Sequence, residues 1–508
     1  MSQPPFLDRI AQSAEQHGAR PALISGGTEV SYKRLFATAR GIRDEIIEQG
    51  FGHAKRIGIV TSVSIETYAS LLAVWSLGAA YVPLNSHNPV ERNARIIERA
   101  RLNLILTSRV REDWSTYLPD AHRSPRVLST RNVRPGVGRL EFPEVERSAL
   151  AYIFFTSGST GTPKGVPISH ANLSAFMNAV LTDGNDGFIA EDRFLQMFER
   201  TFDLSIVSFL APWSVGACCC VVPEGGIHFM NILKVLSNEN VTVALMVPSV
   251  LPYMQRFFDE VRLPALRLSQ FCGEPLMQDM VSGWSQCVPN ACIENVYGPT
   301  EATIYCTKYL WEYDRANTES VNGIVPIGRP MAGTRTLVLD EQAHHCPVGT
   351  RGELCLVGEQ VMTTYWNDRK QTAASFLPVT LEGNLVNAYR TGDIAYENAN
   401  GNLIYCGRLD SQVKIDGHRI ELGEIEYFAR RFIGSSTAVV VVTRDDLGAQ
   451  ELNLFIGGSN IDRRGLEECL KENLPEYMLP SSTIVLPELP LNLNGKIDRQ
   501  ALARMSAQ

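Results

Sequence analysis

Residues 154–165 read FFTSGSTGTPKG, a run of glycine, serine and threonine with one lysine, directly behind the apolar stretch ALAYI. Successive backbone N–H groups in a tight glycine-rich turn form an anion-binding concavity, and hydroxyls with one ammonium add donors. The composition therefore suits phosphate. It is not the GxxxxGK[ST] phosphate loop, because Lys164 follows Pro163 and precedes Gly165. A plain surface turn behind a strand has the same composition, so the loop by itself decides nothing.

Six further polar clusters stand at the ends of expected elements, where functional residues concentrate. They are TFDLS at 201–205, FCGE at 271–274, NVYGPTEATIY at 295–305, YRTGDI at 389–394, GRLDSQVKIDGHRIELGEIE at 407–426 and NLNGKIDR at 492–499. Carboxylates, hydroxyls and lysines recur in them, but no Ser/His/Asp constellation accompanies them. His170, His228 and His418 therefore need no catalytic role, and His170 reads as a cap or packing residue.

The elements that must position these clusters are short apolar strands alternating with amphipathic helices. RIGIVTS, AYVPLN, LNLILTS and LAYIFFTS read as buried strands, as do RFLQMFE, CCCVVP, VTVALMVP and LRLSQFCG further on. That alternation indicates a layered α/β body with mainly parallel sheets. After about residue 325 the strands shorten and turns such as Asn400-Gly401 multiply, which predicts a small, partly antiparallel sheet or barrel at about 326–408. From about residue 410 a strand, a helix, two strands and a helix follow, enough for an α+β unit of its own.

The chain has 508 residues, beyond the size at which one core stops growing, so at least two domains are expected. A net charge of -8 with no basic block argues against a nucleic-acid binder. The eleven cysteines contain no CxxC pair and no zinc spacing. The apolar CCC run at 218–220 reads as core, and a reducing compartment is the default. No signal segment or membrane-length apolar run is present, so a cytoplasmic protein is expected.

Taken in order, from VSYKRL at 30–35 through LGAAYVPLN at 77–85 to NGKIDR, these motifs closely resemble the adenylate-forming superfamily. The nearest resemblance is to the amino-acid-activating domains of nonribosomal peptide synthetases and the D-alanine–carrier-protein ligases. It covers essentially the whole chain. It implies a large adenylation domain over 1–408, with the β-rich subdomain inside it, and a mobile α+β domain over 409–508 that swings about a hinge at Asp410. It also implies ATP and Mg²⁺ as co-substrates, with no tightly bound organic cofactor.

Residue by residue, the resemblance gives the β and γ phosphates of ATP to Thr156, Ser157, Gly158, Ser159, Thr160, Gly161 and Lys164. Gly273, Glu274, Tyr297, Asp393 and Arg408 would bind the nucleotide, with Tyr297 against adenine and Asp393 accepting from both ribose hydroxyls. Glu301 would hold Mg²⁺ and Thr300 would donate to the α-phosphate. Lys496 would stabilise charge as pyrophosphate leaves, a task for a mobile point charge. After the swing, VKIDG would line a thiol tunnel, with Gly417 sparing room for a phosphopantetheine arm.

Asp203 matches the family aspartate that pairs with an α-ammonium, so an amino acid is expected in place of a fatty or aromatic acid. Leu204, Val207, Leu245, Gln270, Cys272, Val296, Ile304 and Tyr305 match the remaining pocket positions. That lining is mainly apolar, with one amide and no side-chain charge opposite Asp203. It disfavours charged substrates and weakly favours a small residue such as alanine. The chain stops shortly after NGKIDR, from which a separate carrier protein is expected to supply the thiol. The alternatives are an acyl-CoA ligase and a catalytically silent binding protein that retains the pocket.

Overall fold

Two large sheets carry most of the motifs. The computed structural model describes residues 5–109, 125–158, 161–182, 187–409, 412–434, 438–445, 448–458, 461–490 and 497–506. The larger sheet has nine strands, in the order Arg329–Pro330, Thr307–Trp311, Cys292–Tyr297, Leu268–Phe271, Val243–Met246, Arg193–Gln196, Cys218–Val221, Pro21–Ser25 and Thr28–Ser31. Its interior pairs are parallel and its edge pairs antiparallel. Cys218–Val221 and Val243–Met246 are buried along their whole length. Parallel strands covered on both faces require such unbroken apolar runs.

The second sheet has six strands and is parallel except for its last pair. That pair is a hairpin of Leu150–Thr156 and Lys164–Ser169, with Ser157, Gly158 and Gly161 beside the ends of its arms. The second arm, which contains Pro167, was not among the expected strands. It lies at the sheet edge, where a missing N–H is tolerated. Helix Leu204–Val215 is buried on nearly all sides. Trp213 Nε1 donates to the Ala22 carbonyl of the large sheet at 3.0 Å, and Tyr68 packs edge-on against both Phe209 and Trp213, with ring centroids 5.8 and 6.0 Å away. An all-round apolar helix belongs in such a central layer.

Residues 334–408 form a five-stranded sheet whose pairs are all antiparallel, where a partly antiparallel one was expected. Next comes the hairpin Gln412–Ile415/His418–Glu421, then helix Leu422–Ile433. Strands Ala438–Arg444 and Gln450–Gly457 pair antiparallel, and Ser482–Leu486 adds in parallel. Ile420, Ile425, Phe428, Val440, Leu454 and Leu466 centre an apolar cluster separate from the main core. All eleven cysteines are free.

Candidate active site

A cavity of about 290 Å³ is lined by Gly273, Glu274, Tyr297, Asp393 and Arg408, so the five expected nucleotide residues meet. Asp393 and Arg408 are register partners in adjacent strands. Arg408 Nη1 lies 2.5 Å from Asp393 Oδ1, and Tyr297 Oη donates to Asp393 Oδ2 at 2.5 Å. Burial, then the Asp393 charge, push the Tyr297 phenol well above its ordinary value, so it remains a donor. Two acceptor oxygens on one buried carboxylate each hold a donor, an arrangement a vicinal diol can replace. The Lys414 ammonium stands 5.8 Å from the Tyr297 ring centroid.

At the ends of the hairpin arms the phosphate-type donors face residues from the far end of the chain. Ser157 Oγ donates to the Arg419 carbonyl at 2.7 Å, and the Gly158 N–H donates to Glu424 Oε2 at 3.2 Å. Lys164 Nζ lies 3.0 Å from Glu421 Oε1. Arg92, itself buried, pairs with Glu424 Oε1 at 3.0 Å. Glu301 is 1% exposed; Arg419 Nη1 reaches its two oxygens at 3.0 and 2.8 Å, and Tyr365 Oη donates to it at 2.6 Å. Burial pushes the Glu301 carboxyl up, but the Arg419 charge and the Tyr365 hydroxyl outweigh it and hold it below its ordinary value.

The charges match in kind. Carboxylates Glu421 and Glu424 occupy donors suited to phosphate, and a guanidinium occupies an acid suited to a cation. Sequence reading took HRIELGEIE only as a motif and missed these partners. A signal was present: residues 419 and 421 of one strand point the same way, and Glu424 follows in the first helical turn. Among the described residues no group of three or more His, Cys, Asp or Glu could hold a metal ion. A lone buried carboxylate fits Mg²⁺, which binds one or two carboxylates and completes its shell with water and phosphate oxygens.

Asp203 stands at the start of helix Leu204–Val215, 4% exposed, and its Oδ2 finds no hydrogen-bond partner. Burial, against the weaker pull of the Thr300 hydroxyl and the Lys414 charge, pushes its carboxyl up to about 6. An orphaned buried acceptor is destabilising until a donor arrives. A small cavity of about 70 Å³ touches Asp203, Thr300, Thr156, Ser157, His418 and Arg419. There the acid, the phosphate-type loop and the YGPTE segment meet.

Strand register sets Leu245, Gln270 and Glu294 abreast, with Val296 opposite Lys308. Alternate residues share a face, so Leu245, Gln270, Cys272 and Val296 lie on one side of the sheet. Burial first, with Asp203's charge contributing, pushes the Cys272 thiol up to about 12. Leu204 and Val207 are buried on the central helix, and Tyr305 packs edge-on against Phe176 at 5.0 Å. The expectation of one amide among apolar neighbours needs correction. Gln270 Nε2 donates to Glu294 Oε2 at 2.8 Å, and Lys308 Nζ lies 3.4 Å from Glu294 Oε1. Paired strands bring these charges within reach of one another from positions that a linear motif does not connect.

Thr303 and Ile304 take left-handed backbone, with φ of 56° and 80°. Such φ is costly for β-branched residues and persists only where the surroundings enforce it. Gln360 does so: Nε2 donates to the Ala302 and Tyr305 carbonyls at 2.7 and 2.9 Å, and its own carbonyl accepts from Thr303 Oγ1 at 2.5 Å.

A further cavity, of about 450 Å³, is lined by Phe202, His228, Val247, Tyr253, Asp416 and His418. The 412–421 hairpin turns against it. Gly417 has φ +78°, and a Cβ there would lie 2.6 Å from Val247 Cγ1. Its N–H donates to Glu274 Oε1 at 2.8 Å. His418 stacks on Tyr477 at 3.8 Å, and burial lowers it to about 4, leaving it neutral. His170 stacks on Phe6 and is also lowered to about 4 by burial, as a packed side chain would be. Ser159, Thr160, Asp410 and Lys496 lie outside the described residues. No helix among those described is long and apolar enough to cross a membrane.

The AMP-binding enzyme family matches residues 10–366. The dimodular nonribosomal peptide synthase of Bacillus subtilis (strain 168) is 32% identical over 502 residues, covering 97% of this chain and 20% of that protein. The chain spans only 9%, 6% and 6% of the first curated relatives it matches. Zwittermicin A synthase ZmaJ of Bacillus cereus is 32% identical over 496 residues, covering 96% of this chain and 92% of its own. The Vibrio cholerae adenylation domain AlmE, solved in complex with glycyl-adenosine-5'-phosphate, shares the fold at a TM-score of 0.85 and 28% identity, with 100% and 98% of the chains covered.

Proposed function

The chain belongs to the AMP-binding enzyme family, and on that premise we propose that it is an ATP-dependent ligase for a neutral α-amino acid. In the first step a substrate carboxylate oxygen attacks the α-phosphorus, the bond to the bridging oxygen breaks, and pyrophosphate leaves with an aminoacyl adenylate formed. In the second, the thiol sulfur of a carrier's phosphopantetheine arm attacks the acyl carbon, the bond to the AMP oxygen breaks, and the thiol proton is released. The observation that carries this reading is the buried Asp203 oxygen without a partner, opening on the cavity shared with Thr300 and the phosphate-type loop. An α-ammonium supplies the missing donor, and a charge-assisted bond of that kind outweighs a neutral one.

In this reading Tyr297, Asp393 and Arg408 hold the nucleoside, and Gly273 and Glu274 wall its pocket. Residues 156–161 with Lys164 hold the departing phosphates, Thr300 donates to the α-phosphate, and Lys496 stabilises the leaving charge. Glu301 would hold Mg²⁺, which supplies charge neutralisation on the phosphate oxygens. Residues 409–508 turn about Asp410 between the steps. With the hairpin seated on Glu301 and the phosphate-type loop, the described arrangement suits the second step, and the cavity beside Gly417 suits the thiol arm. A small side chain such as that of alanine, of either hand, is the first substrate to test, and AlmE's glycyl adenylate complex supports that choice.

The test is amino-acid-dependent exchange of labelled pyrophosphate into ATP, followed by mass analysis of apo and holo carriers supplied in trans. Exchange with a neutral amino acid, lost in Asp203→Ala, and an aminoacyl increment on the holo form alone are expected. Exchange driven by fatty or aromatic acids, or transfer to free coenzyme A without any to a carrier, would overturn it.

A further inference from the structure

Behind the residues assigned to the substrate side chain lies a cavity of about 600 Å³, bounded by Phe188, Leu268, Gln270, Glu294, Tyr305 and Lys308. The function proposed above leaves it unused. It runs along the same sheet face as the side-chain pocket, one rung toward the strand starts. Leu204, next to Asp203, packs beside Gly273, next to Cys272, with Cδ1 3.8 Å from the glycine's Cβ position, and Gln270 stands two residues before Cys272 on the same face. Two residues of strand span about 7 Å. A substrate anchored at Asp203 therefore has room for a short side chain before it meets Gln270 and Tyr305, which border the rear cavity.

Gln270 is 9% exposed and does not hang loose. A carboxylate only accepts, so the Gln270 amide nitrogen must face Glu294, at 2.8 Å. Glu294 is fixed in turn by Lys308 at 3.4 Å. Charge-assisted bonds to a mostly buried acid hold a side chain more firmly than neutral ones. Glu294, abreast of Gln270, and Lys308, reaching across from the next strand, contribute nothing to an apolar pocket unless they position the amide that touches it.

Resting on the amino-acid reading above, we propose that Gln270 is a floor between the side-chain pocket and the rear cavity, that Glu294 and Lys308 are positioning residues that hold it shut, and that this tether sets the length of side chain accepted. The substrate class is then a short-chain neutral amino acid, and the rear cavity becomes reachable by longer unbranched chains only when the floor is removed.

The experiment measures kcat and KM for pyrophosphate exchange across glycine, alanine and straight-chain amino acids of increasing length. Wild type, Gln270→Ala, Glu294→Ala, Lys308→Met and the Gln270→Ala/Glu294→Ala pair are compared. In wild type, exchange should fall with length. In Gln270→Ala the preference for alanine over the longer chains should shift by at least about tenfold, the order that pocket methylenes confer, through amino-acid KM and with the ATP KM unmoved. Glu294→Ala and Lys308→Met should shift it the same way by less, and Glu294→Ala should add nothing in the Gln270→Ala background. A length profile unchanged in Gln270→Ala, or independent additive effects in the pair, overturns the proposal. If Gln270→Ala fails to fold, Lys308→Met decides, and an unaltered profile there overturns it too. If wild type exchanges with no amino acid at all, the ligase reading fails first and this inference falls with it, a result distinct from a normal wild type with indifferent variants.

Discussion

Replacing Arg419 by methionine should separate the two half-reactions. With the 412–421 hairpin seated, Glu301 is 1% exposed and its charge partner is Arg419 at 2.8 Å. Removing one member of a buried pair costs about 3–5 kcal/mol, because the other charge is left in a poorly solvating site. Tyr365 Oη still donates to Glu301 at 2.6 Å, so the lower figure, about 3 kcal/mol, applies. In an unseated state nothing is lost, since Glu301 is then available to a phosphate-bound cation. Each 1.4 kcal/mol is tenfold, so the seated population should fall about 100-fold. Carrier loading, measured by intact mass after rapid mixing of pre-formed aminoacyl adenylate with holo carrier, should slow by that order. Pyrophosphate exchange should stay within about threefold of wild type, and the apparent KM for ATP should not rise, because the competitor for the phosphate-type loop is weakened. Equal losses in both half-reactions would refute the reasoning, as would unimpaired loading.

Lys496→Ala should spare folding and ATP binding, nearly abolish pyrophosphate exchange, and leave transfer from pre-made adenylate intact; exchange near the wild-type rate would contradict the assignment. Asp203, raised to about 6 from 3.8 by burial, holds its proton in the folded state over that window while the unfolded chain has released it. Its contribution to stability is therefore present below the window and lost as pH rises through about 6, by about 3 kcal/mol at 1.36 kcal/mol per unit. An ammonium needs the ionised form, so amino-acid kcat/KM should fall toward tenfold per unit below about pH 6 with a flat ATP KM, and a parallel loss in ATP KM would count against the pairing. Gly417→Ala should slow carrier loading and spare exchange, since its Cβ would lie 2.6 Å from Val247 Cγ1. Val247→Ala should restore part of the loading, and its failure to do so would assign the loss to the strained φ of +78° alone.

Linear order revealed what lies within one element and its following loop. The apolar strands, the SGSTGTP run and the acids at 203, 301 and 393 stand out because a few neighbouring residues carry the signal. The partners of the loop were not visible for the opposite reason. Ser157 and Arg419 are 262 positions apart, and only the docking of the hairpin makes them neighbours. An acid in a first helical turn is ordinarily solvated and favoured by the helix dipole, whereas Glu424 is fully buried on Arg92. Glu294 belongs to no motif; strand register sets it beside Gln270, and the Lys308 ammonium reaches it from the next strand. The strand that begins at Lys164 contains Pro167, and the edge position that tolerates a proline cannot be inferred from a local window.

The left-handed pair Thr303–Ile304 bears on attempts to exchange substrate preference between relatives. Ile304 and Tyr305 aim their side chains from a backbone that Gln360, more than fifty positions later, fastens through three hydrogen bonds. Grafting donor identities at 304 and 305 therefore transfers the atoms but not the angle from which they project. A recipient with an aliphatic residue at the place of Gln360 would let that bend relax toward ordinary φ and swing both grafted groups off target. A chimera should carry the 298–305 segment and its distant fastener together, as one inherited part.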